Sequence, residues 1–232
     1  MDALFRNAPG ALDRSRHAAP QVFEHLRDRI ISLELKPGTM LSRAELQSHF
    51  GVSSTPIRDA LLRLQEEGLV EIYPQHATVV SAIDLGLARQ AQFLRRSIEL
   101  EVARTLAEAP DEDLVRRLRA VVDEQKRVAR MKDLDRFAAA DQDFHRTLYE
   151  AAGVPDLWGL VCRNSGHIDR LRRLHLPVEG KAGQIVREHM ALIEAIAAGD
   201  PELAQRRLRE HLSSSLAFGA ELRARFPGYF RA

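Results

Sequence analysis

Three histidines and one aspartate occupy positions that the sequence pattern turns toward a helical core. Asp141 and His145 are four residues apart, so both side chains lie on one face of a helix, and the apolar residues that flank them turn that face inward. His189 and His211 each lie on the apolar stripe of a later helical segment. Burying four such groups separately is costly, whereas sharing one cation removes much of that cost.

The ligand types indicate which metals would suit this site. Neutral imidazole and carboxylate favour Zn, Ni, Mn, Fe or Co over Ca or Mg. We therefore predict one divalent transition metal per chain, bound by Asp141, His145, His189 and His211. Four protein ligands leave coordination positions open, and a small organic or sugar acid is the expected effector because its carboxylate can fill them. His167 is a further candidate for effector binding, although an ordinary polar helix face is the alternative there.

A helical bundle is expected to carry these residues. From Asp84 onward the periodicity is only helical, and turn-forming residues divide it into six helices of about 15 to 25 residues each. The breaks are Pro110-Asp111, Lys132-Asp133, Gly153-Val154-Pro155, Pro177–Gly183 and Gly199-Asp200-Pro201.

A different pattern precedes the bundle. Apolar residues recur every three or four positions from Val22 to Leu33, and Ser42 with Glu45 forms a capping box for a second helix. A third helix follows the Gly51 turn, and after Gly68 the period changes to that of two short strands. Three helices and a hairpin in this order predict a winged helix-turn-helix.

The third helix of this arrangement is the expected recognition helix. Its first turn and outward face must be free to enter a major groove of DNA. Hydroxyl groups there suit phosphate oxygens, an arginine suits a guanine edge or a phosphate, and a residue at the hairpin tip can enter the minor groove. A winged helix used for protein contacts is the alternative. The candidate DNA-binding residues are Arg43, Ser53, Ser54, Thr55, Arg58 and His76.

Residues 22–80 closely resemble the N-terminal domain of GntR-type bacterial transcription regulators. The blocks LKPGTMLS, GVSSTPIRDAL and LQEEGLV carry this resemblance. It implies that Arg58 and the turn of Ser53 to Thr55 contact operator DNA. Family members commonly have Arg where this chain has Ala44 and Ser54, and Gly where it has Ala77.

The second part of the chain resembles the all-helical FCD effector domain of the FadR group, in its shorter six-helix version. The segments ADQDFHRTLYEAAG, REHMALIEAIAAGD and LREHLSSSL match the metal pattern of that domain. The resemblance implies that Asp141, His145, His189 and His211 are its ligands. It also implies that Arg95 faces the effector cavity; a solvated arginine paired with Glu99 is the alternative.

These observations lead to one organisation of the chain. We expect a flexible tail at 1–19, a DNA-binding domain at 20–81, a linker at 82–86 and a helical domain at 87–232 that binds metal and effector and forms a homodimer. The dimer would bind a palindromic double-stranded operator, because the symmetry of the protein imposes that of its site. The expected function is a repressor that is released when the small carboxylate metabolite binds the buried metal.

Two other functions are compatible with the residues. The first is a regulator whose metal is purely structural and whose effector is an apolar acyl group. The second is a metal-dependent hydrolase, but no separate general acid or base accompanies the ligands, so we do not expect an enzyme. The single cysteine excludes an intrachain disulfide and a cysteine zinc cluster. Since no apolar stretch approaches the roughly 20 residues of a membrane span, we expect no membrane partner and a cytoplasmic location.

Overall fold

The computed structural model describes residues 12–73 and 76–231, without the side chains of 214 and 215. The chain divides into two compact units, one of residues up to 85 together with those from 223 on, and the other of residues 86–222. Within the described ranges, no helix combines the length and the apolar character that crossing a membrane requires. Residues 1–11 of the expected N-terminal tail lie outside the described part of the chain.

The first unit contains the expected winged helix-turn-helix. Three helices surround an apolar core and a two-stranded antiparallel sheet follows them, with Val70 opposite Val80 in its register. The elements are α1 Ala18–Ile31, α2 Arg43–Phe50, α3 Ser54–Glu66, β1 Val70–Tyr73 and β2 Ala77–Val80.

Local interactions set the geometry of the helix-turn-helix. The Ser42 side chain accepts a hydrogen bond of 3.3 Å from the Glu45 backbone N–H and caps α2. Gly51 ends α2 with a φ of 64°, a left-handed conformation that glycine adopts without strain. α3 buries Ile57 and Leu61 against the core, and this orientation leaves its opposite face to solvent.

Side-chain and backbone hydrogen bonds hold both ends of this unit. The Gln21 side chain accepts a hydrogen bond from the Asp13 backbone N–H at 2.8 Å and donates one to the Asp13 carbonyl oxygen at 2.9 Å. α1 therefore begins at Ala18, within the stretch expected as a tail. Near the other end, Ile83 forms a parallel bridge with Phe230, and the Ile83 backbone N–H donates to the Tyr229 carbonyl oxygen at 2.8 Å.

The second unit is all-helical, as expected, but eight helices rather than six follow residue 84 in the described chain. Two of the expected helices are each interrupted. Ser165 lies at the end of one of them, where its single hydroxyl proton can be donated to either the Asp169 carboxylate or the Cys162 carbonyl oxygen, in competition with the helical backbone. The helices are α4 Leu85–Glu108, α5 Glu112–Arg130, α6 Leu134–Ala151, α7 Pro155–Asn164, α8 Gly166–His175, α9 Lys181–Ala197, α10 Pro201–Ala217 and α11 Gly219–Arg225.

Packing of α5, α6, α9 and α10 forms the core that positions the polar residues. α5 packs against both α6 and α9, and α9 also packs against α10. Leu118 and Val122 of α5, Leu192 of α9 and Leu208 of α10 are buried in one apolar cluster. Burial of each such side chain contributes about 1.5–3 kcal/mol, so the three helices that carry the polar residues are fixed by their apolar neighbours.

Candidate functional site

Asp141, His145, His189 and His211 meet at one point of the helical unit. Each offers one ligand atom, and the four atoms all lie within 4.8 Å of one another. The Nε2 atom of His211 lies 3.3 Å from the Nε2 atoms of both His145 and His189. The Nε2 atom of His189 lies 3.6 Å from Asp141 Oδ1. α6, α9 and α10 therefore bring residues 70 positions apart into one cluster.

The other ring nitrogen of each histidine is held by a polar side chain. His189 Nδ1 lies 2.9 Å from Gln125 Oε1, and His211 Nδ1 lies 2.8 Å from Glu188 Oε2. His145 Nδ1 lies 2.9 Å from Glu99 Oε2. Gln125 Oε1 and Glu188 Oε2 accept hydrogen bonds and so favour the ring proton on Nδ1 of His189 and His211, whereas the His145–Glu99 contact is a close ionic approach.

This arrangement fits a cation. Three Nε2 lone pairs and a carboxylate oxygen face one another, and the Nδ1 protons of the rings are already directed elsewhere. The mutual repulsion of these acceptors is costly in a buried place, and a metal ion is the group that would relieve it. Histidine nitrogen with one carboxylate oxygen is a donor set typical of divalent transition metals.

Burial keeps the histidines ready to act as ligands. His145 and His189 are 0% exposed, and His211 is 8% exposed. Burial and the positive charge of Arg95 lower the pKa of His145. Burial and the neighbouring His211 and His145 hold the pKa of His189 well below its usual value. The neutral form that coordinates metals is therefore favoured for His145 and His189 at neutral pH.

Arg95 and Glu99 form a buried ion pair beside this cluster. Arg95 Nε donates to Glu99 Oε1 at 2.5 Å, and the two side chains are 6% and 0% exposed. Burial alone would raise the pKa of Glu99, but Arg95 and His145 lower it overall. Arg95 is thus paired with Glu99, as the alternative interpretation expected. That interpretation is wrong in expecting a solvated arginine, because both side chains are buried.

Two further cations act on the Asp141 side of the cluster. Burial lowers the pKa of Arg172, and Asp141 opposes that shift; the same two influences act on Lys181. Arg172 Nη1 also lies 3.1 Å from Asp169 Oδ1. With Arg95, these cations face four carboxylates, those of Glu99, Asp141, Asp169 and Glu188. The formal charge around the cluster is therefore minus one, and a divalent metal would change it to plus one.

His167 lies on α8, and its position differs from that of the four candidate ligands. It is buried, and its Nδ1 atom lies 3.1 Å from Arg170 Nη2. Arg170 is fully buried, which lowers its pKa to about 10. The ordinary polar face that was the alternative for His167 is therefore wrong, since this face of α8 is buried. A role in effector binding stays a prediction.

The six candidate DNA-binding residues all lie exposed on the first unit. The Ser53 hydroxyl makes no capping hydrogen bond at the N-terminus of α3, which leaves it directed to solvent. The Arg58 side chain is 65% exposed and lies 3.6 Å from the Asp59 carboxylate. The His76 backbone N–H donates to the Tyr73 carbonyl oxygen at 3.1 Å, and residues 74–75 between them lie outside the described part of the chain. The exposed set is Arg43, Ser53, Ser54, Thr55, Arg58 and His76.

Sequence reasoning missed the residues that hold the histidine rings. Gln125 lies on the buried stripe of α5, between Val122 and Val128. A polar residue within such an apolar stripe was a usable signal, because it is expected to have a buried partner. Glu188 gave no comparable signal, since a glutamate at a helix surface is common. Arg172 and Lys181 were missed for a similar reason, since charged residues at a helix surface are common.

The sequence matches two family models. Residues 18–80 match the model described as bacterial regulatory proteins, gntR family, and residues 90–214 match the FCD domain. The first match covers the winged helix-turn-helix. The second contains all four residues of the histidine and aspartate cluster as well as Arg95.

Individual proteins show the same relationship. An HTH-type transcriptional regulator in an unstable DNA locus of Streptomyces ambofaciens is 35% identical over 90% of this chain and 88% of the relative. The HTH-type transcriptional repressor RspR of Escherichia coli K12 is 30% identical over 83% of this chain and 84% of the relative. Among solved structures, E. coli McbR/YncC has a TM-score of 0.75 at 20% identity and covers 89% of this chain and 98% of that one, which supports the fold alone.

The buried ion pair generates a stability prediction. Glu99→Leu should lower the free energy of unfolding by about 3–5 kcal/mol, because Arg95 stays buried without its carboxylate. The double variant Arg95→Leu/Glu99→Leu should recover most of this loss, since no uncompensated charge remains. Urea unfolding can be followed by the fluorescence of Trp158, the single tryptophan, whose ring centre lies 6.0 Å from Arg95 Cζ. A double variant as unstable as Glu99→Leu would contradict the prediction.

Proposed function

Because this chain belongs to the gntR family of bacterial regulatory proteins and carries an FCD domain, it is a DNA-binding transcriptional regulator and not an enzyme, and we propose that it is a repressor which a small carboxylate metabolite releases from its operator. The observation that carries the proposal is the convergence of Asp141 and three Nε2 atoms beside the buried Arg95. Residues 20–81 would bind DNA, and residues 87–232 would bind metal and effector.

Operator binding is assigned to α3 and its surroundings. The N-terminus of α3 presents backbone N–H groups together with the hydroxyls of Ser53, Ser54 and Thr55, which suit phosphate oxygens. Arg58 is long and exposed, and its guanidinium can bind a guanine edge with two hydrogen bonds. One recognition helix makes few contacts, so we propose a homodimer on a palindromic operator.

The cluster of Asp141, His145, His189 and His211 would hold one divalent transition metal. The Nδ1 contacts with Glu99, Gln125 and Glu188 support this assignment, because they orient all three rings before a metal arrives. When bound, the metal supplies a Lewis-acidic centre to which an anionic oxygen can coordinate. Asp141 is the most exposed ligand, with 23% of its side chain accessible, so the open coordination positions are expected on its side.

Charge supports an anionic effector. The groups around the cluster carry a formal charge of minus one without metal and plus one with it, so a monoanion is favoured only in the metal-loaded state. Arg95 can bind a carboxylate oxygen or a neighbouring hydroxyl of the same metabolite. An organic or sugar acid has both kinds of group. A long apolar acyl chain would find charged side chains on this side of the cluster.

The route from effector to DNA would begin in α4. This helix starts at Leu85, where the chain leaves the DNA-binding unit, and it carries Arg95 and Glu99 about three and four turns later. An effector that binds Arg95 therefore acts on the helix that follows the linker directly. Release of the operator requires that the effector prefers one spacing of the two recognition helices in the dimer.

Replacing Arg58 tests the DNA-binding half of the proposal. Arg58→Gln should weaken binding to an operator selected from genomic DNA by about 1–3 kcal/mol if the guanidinium contacts a base. Arg63→Gln is the matched control, because Arg63 lies on the same helix but its guanidinium stacks at 4.0 Å on Phe23. Gel shifts at several salt concentrations separate the roles, since loss of a phosphate contact lowers the salt slope by about one. Equal effects of the two variants would argue against the role of Arg58.

Metal analysis tests the ligand assignment. Tag-free protein should hold about one divalent transition metal per chain, and His189→Gln should lose it and melt at a lower temperature. His175→Gln provides the control, because His175 is also buried in the same unit but its tilted ring lies 3.9 Å from that of Phe218 instead of joining the cluster. Elemental analysis and thermal unfolding give the two measurements. Normal metal content in His189→Gln, or no metal in several wild-type preparations, would refute the assignment.

Calorimetry tests the effector class. A panel of organic and sugar acids should include a ligand that binds metal-loaded protein about 5–150 times more tightly than metal-stripped protein, the usual range of coupling between two bound ligands. The corresponding amides serve as controls because they lack the negative charge. Removing the metal should abolish the response of operator binding to that ligand. Equal affinity in both forms, or tight binding of long acyl thioesters alone, would instead support a structural metal with an apolar effector.

A further inference from the structure

Glu99 contacts two residues that have different roles in the proposed function: Arg95 would bind the effector, and His145 would bind the metal. One carboxylate oxygen, Oε1, lies 2.5 Å from Arg95 Nε, and the other, Oε2, lies 2.9 Å from His145 Nδ1. The side chain is 0% exposed, so water does not screen either contact. Glu99 thus connects the candidate effector-binding arginine to a candidate metal ligand through one carboxylate.

The other two histidine rings are held differently. Gln125, which holds His189, is neutral and interacts with it through an amide oxygen. Glu188, which holds His211, is 20% exposed and also accepts a hydrogen bond from Gln184. Glu99 differs from both because it combines complete burial, a full negative charge and an arginine on its second oxygen. A substitution of Arg95 should therefore affect His145 more than it affects His189 or His211.

The charge of the buried Glu99 carboxylate acts on both Arg95 and His145, with the Tyr149 hydroxyl as a third neighbour. When His145 Nε2 is bound to a cation, the ring becomes a stronger donor at Nδ1 and attracts Glu99 more strongly. Arg95 is then held less tightly and is more available to an incoming anion. In the opposite direction, an anion that draws Arg95 away leaves the charge of Glu99 to His145, which makes the imidazole a better ligand.

We propose that Glu99 is a positioning residue that couples the metal and the effector, so that each increases the affinity for the other. This proposal rests on the proposed metal and effector sites and adds a regulatory connection between them. Reciprocity is required by thermodynamic linkage: if loading of His145 releases Arg95, then engagement of Arg95 must strengthen metal binding by the same factor.

A double-mutant cycle on zinc affinity tests the coupling without any effector. Zinc dissociation constants of wild type, Arg95→Met, Glu99→Gln and the double variant are measured by competition with a chromogenic chelator. Glu99→Gln should weaken zinc binding by about 10–100-fold, as loss of the partner of a ligating histidine does. Arg95→Met should tighten zinc binding, and this gain should be at least about threefold larger with Glu99 present than in the Glu99→Gln background.

Arg172→Met is the matched control for simple charge removal. Arg172 is another cation that acts on the cluster, but its ion pair is with Asp169, and Glu99 influences it less than Asp169 does. Its replacement should change zinc affinity by nearly the same factor whether residue 99 is Glu or Gln. An Arg95→Met effect that is equally independent of residue 99 would overturn the coupling while leaving the metal site intact. A wild-type protein that binds no zinc would overturn both.

A spectroscopic measurement covers the case in which Glu99→Gln fails to fold. In zinc-loaded protein, the Nδ1–H proton of His145 is observed by NMR and assigned together with that of His211. Arg95→Met should shift the His145 proton, because the carboxylate 2.9 Å from His145 Nδ1 loses its arginine partner, and should leave the His211 proton in place. Arg172→Met should shift neither. An unchanged His145 proton in Arg95→Met, or equal shifts at both histidines, would overturn the proposal.

Discussion

The close approach of three histidine Nε2 atoms and the half-buried Asp141 carboxylate is the constraint on which the helical unit depends. Three Nε2 atoms and the Asp141 carboxylate face one another within 4.8 Å, while the Nδ1 side of each ring is held by an oxygen atom. Such a centre is unfavourable until a cation joins it, so binding of a metal would also stabilise the packing of α6, α9 and α10. The same metal would then stabilise the helical unit and provide the binding site for the effector.

Charge is arranged around this centre in nearly balanced pairs. Arg95 with Glu99 and Arg172 with Asp169 keep buried charges compensated, which limits the desolvation cost of each ion. This near balance makes the local charge sensitive to metal binding, because a divalent ion would change it from minus one to plus one. Under the proposed function, a bound metal would make the site more favourable for an anion by electrostatics alone.

In the DNA-binding unit, the packing of amphipathic helices leaves the candidate binding residues exposed. α3 uses Ile57 and Leu61 to attach itself to the core, and its opposite face and first turn stay exposed for this reason. The net charge of the whole chain is only plus one, so affinity for DNA must come from where particular side chains point rather than from bulk charge. This unit therefore presents its functional groups, whereas the helical unit encloses them.

Local patterns in the sequence determined much of this protein. Helical periodicity and the Ser42 cap predict the helix-turn-helix, and the four-residue spacing of Asp141 and His145 places them on one face; the structure confirms the fold class and brings the candidate ligands together. Tertiary structure alone decided that Gln125 faces His189, that Arg95 is buried, and that Glu99 reaches His145. These contacts join helices distant in sequence, and periodicity within one helix contains no information about which residue of another helix lies opposite. The burial that changes the pKa values of the histidines arises in the same way, because it depends on how separate helices pack.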